Sequence, residues 1–219
     1  MRRIIGSAFM SVDGVIQAPG GQHEDETGGF AFGGWVAPHW DGTLEKHLSA
    51  LFADPYELLL GYRTYEIFAA YWPYAPADNP IGAAFNQTAK HVLTHRSAPL
   101  GWANSHRLAD IDAVRALKAG AGPDLLIQGS GSLYPQLLAA GLIDRFTLMT
   151  FPITLGRGRR LFGDGMPAKG LRLVAQEASA SGVIVAVYEP AGEVEARAFA
   201  EEPPSAAELD RRTRWAREG

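Results

Sequence analysis

Residues 124–141 read DLLIQGSGSLYPQLLAAG. Asp124–Gln128 is an apolar run of strand length, Gly129-Ser130-Gly131-Ser132 is a tight turn, and Leu133–Ala140 is helical until Gly141 closes it. A strand that feeds a helix through a short glycine turn is half of a crossover unit, and such units join parallel strands. The same alternation runs outward in both directions. Upstream, residues 2–12 are apolar and β-branched up to a turn at Asp13-Gly14, and Thr43–Phe52 sets Leu44, Leu48 and Leu51 on one helical face. Tyr56–Leu60 is a strand broken by Gly61, and Thr64–Tyr71 is a helix. Lys90–Thr94 is a strand, and Asp110–Ala119 is a helix ended by Gly120 and Gly122. Downstream, Asp144–Ile153 is a long strand, and Leu171–Glu177 with Val183–Glu189 makes a hairpin around Ser181-Gly182. The pattern predicts an α/β fold, a three-layer α/β/α sheet that is mostly parallel with an antiparallel C-terminal edge hairpin.

Composition narrows the function. The chain has 219 residues, 47% hydrophobic and 20% charged, which suits an ordinary globular protein. Lys plus Arg number 20 against 24 for Asp plus Glu, a balance that argues against nucleic acid, whose binders carry a basic excess. There is no cysteine, so disulfides, thiolate nucleophiles and Cys-based metal sites are excluded. No apolar run approaches the ~18–20 residues of a membrane span. Arg2-Arg3 before an apolar stretch imitates a secretory leader, but no small-residue cleavage pattern follows. A first strand is the better reading, and the expected location is cytoplasmic. Residues 17–36 contain Gly20, Gly21, Gly28, Gly29, Gly33 and Gly34 and read as a long functional loop with no core of its own. From 191 the chain turns acidic: Glu193, Glu195, Glu201 and Glu202 surround Pro203-Pro204, and Ser205 with Glu208 then opens a polar helix as a capping box. One domain over 1–190 and a linker with a short helix over 191–219 is the expected organisation.

Three strand-to-helix or strand-end segments carry the chemistry. Glycines at Gly129-Ser130-Gly131-Ser132 let backbone approach a ligand, and free amides at a helix start favour phosphate oxygens. A plain turn with a serine cap is the competing reading. The turn is a poor dinucleotide fingerprint, since Tyr134 stands where a third glycine belongs. Gly61-Tyr62-Arg63-Thr64 offers a second such junction, and Thr94-His95-Arg96 a third set of donors at a strand's carboxyl end. Each alone is weak, but open α/β sheets bind ligands at that edge, so the three together point to a site. His23-Glu24-Asp25-Glu26 lacks metal-ligand spacing and reads as a solvated loop, as Arg157, Arg159 and Arg160 read as a solvated turn. No metal is expected. Asp41 reads as the N-cap of the helix that follows it.

Ser11-Val12-Asp13-Gly14-Val15-Ile16, Leu59-Leu60-Gly61-Tyr62-Arg63-Thr64-Tyr65-Glu66 and Ile127-Gln128-Gly129-Ser130-Gly131-Ser132-Leu133 resemble the dihydrofolate reductase-like family. The nearest likeness is to the C-terminal reductase domain of bacterial riboflavin biosynthesis proteins. Gly141-Leu142-Ile143-Asp144 and Phe151-Pro152-Ile153-Thr154-Leu155-Gly156-Arg157-Gly158, with Leu161-Phe162, continue it in order over about residues 2–190. The resemblance implies NADPH across the sheet's carboxyl edge. Gly61, Arg63 and Thr64 would hold cofactor phosphates, and Thr94, His95 and Arg96 would lie near the adenosine 2′-phosphate. Gly129, Ser130, Gly131, Ser132, Leu133 and Tyr134 would form the pyrophosphate turn and helix, with Ala8 and Ile16 bordering the nicotinamide. Directly after Gly61, where classical dihydrofolate reductases carry an arginine, stands Tyr62. Those enzymes also carry a carboxylate on the first helix, and Asp41 or Glu45 would supply it here.

The expected activity is NADPH-dependent hydride transfer to a small heterocyclic substrate, of the 5-amino-6-(5-phosphoribosylamino)uracil reductase type. Dihydrofolate is the alternative substrate, and a non-catalytic NADPH-binding protein whose tail docks a partner is the alternative class. A homodimer is expected because related reductase domains pair. Its contact would lie within Asp144–Glu189, with Thr147, Met149 and Phe151 facing outward beside Phe146 and Leu148.

Overall fold

The structure, a computed structural model, describes residues 1–199 and 203–218. Its strands are β1 (Ile4–Ser11), β2 (Tyr56–Gly61), β3 (Lys90–Leu93), β4 (Ser105–Leu108), β5 (Asp124–Gln128), β6 (Arg145–Phe151), β7 (Leu171–Ala178) and β8 (Ile184–Pro190). Its helices are α1 (Gly42–Leu51), α2 (Tyr62–Tyr71), α3 (Pro80–Gln87), α4 (Ile111–Ala119), α5 (Leu133–Ala139) and α6 (Ala206–Glu218). One sheet runs in the order β4-β3-β2-β5-β1-β6-β8-β7. The first six strands in that order are parallel neighbours, and β8 pairs antiparallel with both β6 and β7. The mostly parallel sheet with its C-terminal antiparallel edge is as the sequence pattern requires.

Strand alternation makes the layers. Leu59 of β2 turns to the face where α4 and α5 pack Val114, Leu137 and Leu138, together with Ile4, Ile127 and Phe146. Leu58 and Leu60 turn to the other face, where α2 and α3 bring Tyr65 and Phe85. On that same face, α1 adds Leu44 to a cluster with Met149, Phe151, Val183 and Val185. Two elements were not read from sequence. The helix α3 begins at Pro80 behind Asn79, whose Oδ1 accepts from Gly82 N at 3.0 Å, a cap-and-proline start hidden in an alanine- and proline-rich stretch. The strand β4 is Ser-His-Arg-Leu, a polar edge strand with no apolar pattern to find.

Residues 17–36 correct the expectation of a loop without a core. Phe30, Trp35 and Val36 are buried with Val15 and Ala18 against Phe151 and Met149. The Trp35 indole meets the Phe151 ring edge-on at 5.2 Å, and its Nε1 donates to Gln17 O at 2.8 Å. The outward face expected for β6 is also corrected: Thr147, Met149, Phe151, Phe146 and Leu148 are all buried within the chain. An internal strand covered on both faces shows no polar side, so periodicity alone cannot assign one. The exposed apolar edge lies instead on β7, at Leu171, Leu173 and Val174.

Beyond β8, Glu208 N donates to Ser205 Oγ at 3.2 Å at the start of α6, which is the serine half of the capping box, while the Glu208 carboxylate turns to Arg211 and Arg212. Ala200, Glu201, Glu202 and Gly219 lie outside the described residues. Among the described residues no helix is long and apolar enough to cross a membrane.

The tightest constraint in the core is Gly6, in β1 beneath α5. A methyl group there would lie 2.7 Å from the hydroxyl of Tyr134, which is wholly buried and cannot swing aside. Gly6→Ala is therefore expected to cost about 1–3 kcal/mol by overpacking, read as a lower urea or thermal midpoint. Tyr134→Phe should be neutral or stabilising, because that hydroxyl is buried without a hydrogen-bond partner. Equal midpoints for Gly6→Ala and the wild type would contradict this packing.

Candidate functional site

Because β1 to β6 run parallel, Ser11, Gly61, Leu93, Leu108, Gln128 and Phe151 all end at one edge of the sheet. The segments that follow β2, β3 and β5 are the three read as candidates from sequence. The structure brings the first and third of these together and ties them. Gly61 N donates to Ser130 Oγ at 3.0 Å, Ser130 N donates to Thr64 Oγ1 at 3.2 Å, and Gly129 N donates to Ser7 O at 3.1 Å. Gly129 and Ser130 both sit in the left-handed region, at φ of +62° and +52°. The side of Gly61 lies so close to the turn that a methyl there would come 2.9 Å from Ser132 Oγ.

This lacing changes the expected roles. The Ser130 and Thr64 hydroxyls accept backbone donors from the opposite junction, so they hold the two turns together. Leu133 and Tyr134 point into the core instead of toward a ligand, with Leu133 N–H bonded to Ser130 O at 2.9 Å. Burial in apolar surroundings drives the Tyr134 phenol far above its ordinary pKa. Gly131 and Ser132 remain at the open edge, half-buried and exposed, and Ile16 packs its Cδ1 against Gly131. Ala8 is buried in the cluster shared by β1, β6 and α5.

At the end of β3, Thr94 is buried and its Oγ1 accepts from Arg96 N at 3.0 Å, while His95 and Arg96 are exposed. The Arg96 guanidinium lies over the Tyr62 ring, 4.7 Å from its centre. Tyr62, in the place where an arginine was expected, is thus the aromatic platform for Arg96. Arg63, Arg96, Tyr62 and Asp25 line one cleft of about 420 Å³. At the end of β5, Gln128 is nine-tenths buried beside Ser7, and its Nε2 is buried without a partner.

The loop after β1 supplies groups the sequence reading missed. Asp25 is buried, not solvated, and pairs with Arg63 and with Arg159 of the loop after β6. Its desolvation opposes ionisation, but bonds from Thr27 and the charges of Arg159 and Arg63 outweigh that and hold its carboxyl below the usual range. Gln17, also buried, donates through Nε2 to Asp25 O at 3.0 Å and Thr27 O at 2.9 Å, and accepts from Arg159 N at 3.0 Å. Asp25 and Arg159 are 134 residues apart, and no local pattern links them.

Of the two carboxylates that the resemblance offers on the first helix, Asp41 caps α1. Its Oδ1 accepts from Thr43 N at 3.0 Å and Leu44 N at 3.2 Å, and its Oδ2 from Ser181 N at 3.1 Å. Desolvation opposes ionisation, yet the bonds from Ser181 and Leu44 prevail and leave its pKa lowered. It is a fastener between α1 and the β7–β8 hairpin, not a poised acid. Glu45 is exposed on the first turn of α1.

Residues 2–185 match the family described as the RibD C-terminal domain. The uncharacterized protein YyaP of Bacillus subtilis is 35% identical over 78 residues, a match that covers 36% of this chain and only 42% of that relative. Among solved structures, a putative riboflavin biosynthesis protein from Shewanella sp. PV-4 superposes with a TM-score of 0.62 at 18% identity, over 86% of this chain and 99% of that one. A pyrimidine reductase-like protein from Corynebacterium diphtheriae gives 0.56 at 17% identity, over 88% and 93%. Dihydrofolate reductase from Enterococcus faecalis, in complex with NADP(H), gives 0.51 at 14% identity, over 86% and 96%. These likenesses establish a dihydrofolate reductase-like fold.

The lacing of the two junctions has a measurable energy. Ser130→Ala leaves Gly61 N–H buried without its acceptor and is expected to cost about 1–3 kcal/mol. Ser130→Gly loses the same bond but relieves the left-handed backbone, so it should be roughly 1 kcal/mol less damaging than Ser130→Ala in urea unfolding. The reverse order would contradict the geometry.

Proposed function

The chain belongs to the RibD C-terminal domain family, and on that footing we propose that it is an NADPH-dependent reductase of a small heterocyclic substrate. The observation that carries the reading is the pair of laced junctions at the sheet's carboxyl edge, with Arg63 and Arg96 lining one cleft beside them. The residues present fit the cofactor. Gly61 and Gly129 keep side chains away from the turn, two guanidinium groups suit phosphate oxygens, and Gln128 Nε2 is a buried donor awaiting an acceptor. When bound, NADPH supplies a hydride from its nicotinamide.

The chain's part is to bind and orient. In this reading Arg63, Gly131 and Ser132 hold the pyrophosphate, while Thr64 and Ser130 fix the spacing of its two walls. Arg96, stacked on Tyr62, meets the 2′-phosphate with His95, and Thr94 shapes that segment by accepting from Arg96 N. Ile16 covers the turn, and the packed loop from Gln17 to Val36 screens the edge from water. The substrate proposed is of the 5-amino-6-(5-phosphoribosylamino)uracil type. The E. faecalis neighbour is a dihydrofolate reductase and the C. diphtheriae neighbour is called pyrimidine reductase-like, and this supports hydride transfer without choosing the ring. A cytoplasmic homodimer is part of the same proposal, with the exposed apolar edge of β7 as its contact. Sedimentation that showed only monomer at tens of micromolar would contradict the pairing.

Cofactor choice tests the site. NADPH differs from NADH by one phosphate, so selectivity requires donors at one place. Arg96→Ala is expected to weaken NADPH roughly 10- to 150-fold and leave NADH nearly unchanged. Tyr62→Leu should act in the same direction, because it removes the platform under Arg96. Arg63→Ala should weaken both cofactors. Equal loss of NADPH and NADH in Arg96→Ala would refute the assignment, and NADPH binding without oxidation on any pyrimidine or pterin substrate would refute the reductase reading.

A further inference from the structure

Arg63 and Arg159 come from segments far apart in sequence, yet they reach the same two acceptors. Thr27 Oγ1 accepts from Arg63 Nη1 at 3.0 Å and from Arg159 Nη1 at 2.9 Å. Asp25 Oδ2 accepts from Arg63 Nη1 at 3.3 Å and also from Arg159 Nη2. Thr27 in turn donates to Asp25 Oδ1 at 2.5 Å. The exposures are unequal: the Asp25 side chain is 4% exposed, while those of Arg63 and Arg159 are 55% and 42% exposed. Two half-open guanidinium groups therefore converge on one hidden carboxylate.

Like charges so close repel unless an anion lies between them, and paired arginine forks match the oxygens of phosphate as well as those of carboxylate. Asp25 fills that place from the chain itself. Thr27 lines both the cleft of about 420 Å³ that holds Arg63 and Arg96 and a second hollow of about 250 Å³ that holds Arg157 and Arg159. The Asp25–Thr27 segment is thus the partition between two spaces that each hold two arginines, the larger of them also lined by Glu24, Glu26 and Glu66. Gly28 and Gly29, both exposed and at φ of +73° and +72°, follow it at once and give the backbone room to move.

We propose that Arg63 and Arg159 together form an anion site for a phosphate group of a bound ligand, and that Asp25 is the chain's own competitor for that site. The inference rests on the reductase reading for the presence of a phosphate-bearing ligand at this edge. Ligand phosphate displaces the carboxylate, the Asp25–Thr27 segment withdraws, and the two hollows become one. A ligand that must first displace Asp25 binds with its affinity reduced by the fraction of chains in which the pair is free.

The test is calorimetric titration of the full chain at low ionic strength with four probes: inorganic phosphate, pyrophosphate, ribose 5-phosphate and NADPH. Asp25→Asn keeps the side chain's shape but removes the competing charge, and it should bind at least one probe roughly ten- to hundredfold more tightly. Arg159→Ala in that background should abolish the gain. A gain with pyrophosphate and NADPH places the cofactor at the pair, and a gain with ribose 5-phosphate places the substrate there. A folded Asp25→Asn that binds all four probes no better than the wild type overturns the proposal and makes the knot a purely structural clasp. Should Asp25→Asn fail to fold, hydrogen exchange in the wild type decides: saturating pyrophosphate must speed exchange over residues 23–28, and unchanged or slower exchange overturns the proposal. Failure of the reductase reading is separate, since it shows as no NADPH oxidation while the gain in anion binding persists.

Discussion

Gly61 N–H and Ser130 Oγ, 69 residues apart in the chain, share the hydrogen bond on which the site depends. Each of the two turns has a backbone donor that leaves the sheet and must find an acceptor. Each finds it in a hydroxyl of the other turn, at Ser130 and Thr64. The exchange is possible only because β5 lies next to β2 in the sheet. Strand order, the glycine at position 61 and the left-handed pair Gly129–Ser130 together bring the two strand-to-helix turns within bonding distance. A cleft with arginines beside it is what that closeness leaves open.

Most of the sheet was legible because its signals are local. The Asp124–Gly141 unit, the Leu44–Leu51 helix and the Ser205–Glu208 cap are each local in sequence and follow period or capping rules. The strand β4 was invisible because an edge strand of polar residues has no period to read. The faces of β6 were misassigned for the opposite reason, since both are covered. The site was legible at the level of segments and not of roles. Gly61, Arg63, Arg96 and Gly131 sit at the edge and Asp41 caps α1 as expected, whereas Tyr134 and Leu133 went to the core. A residue's type announces what it can do, and only its partners decide what it is free to do.

The loop after β1 shows this most clearly. Its glycines suggested a chain without anchors, yet Phe30 and Trp35 bind it to Phe151 and Met149 on the sheet. Between those anchors and β1, Gln17 gathers Asp25, Thr27 and Arg159 through four polar contacts that no spacing rule anticipates. A polar knot held by a buried glutamine, at the wall of the cleft that Arg63 and Arg96 line, is a different object from a solvated acidic loop. It ties the conformation of the loop to whatever anion the arginines hold.

A crystal structure of the chain with NADPH tests the central claim most directly. The account predicts the pyrophosphate between Gly61–Thr64 and Gly129–Ser132, with the adenosine 2′-phosphate against Arg96 and His95. A dinucleotide bound elsewhere, or none at saturating concentration, would contradict it.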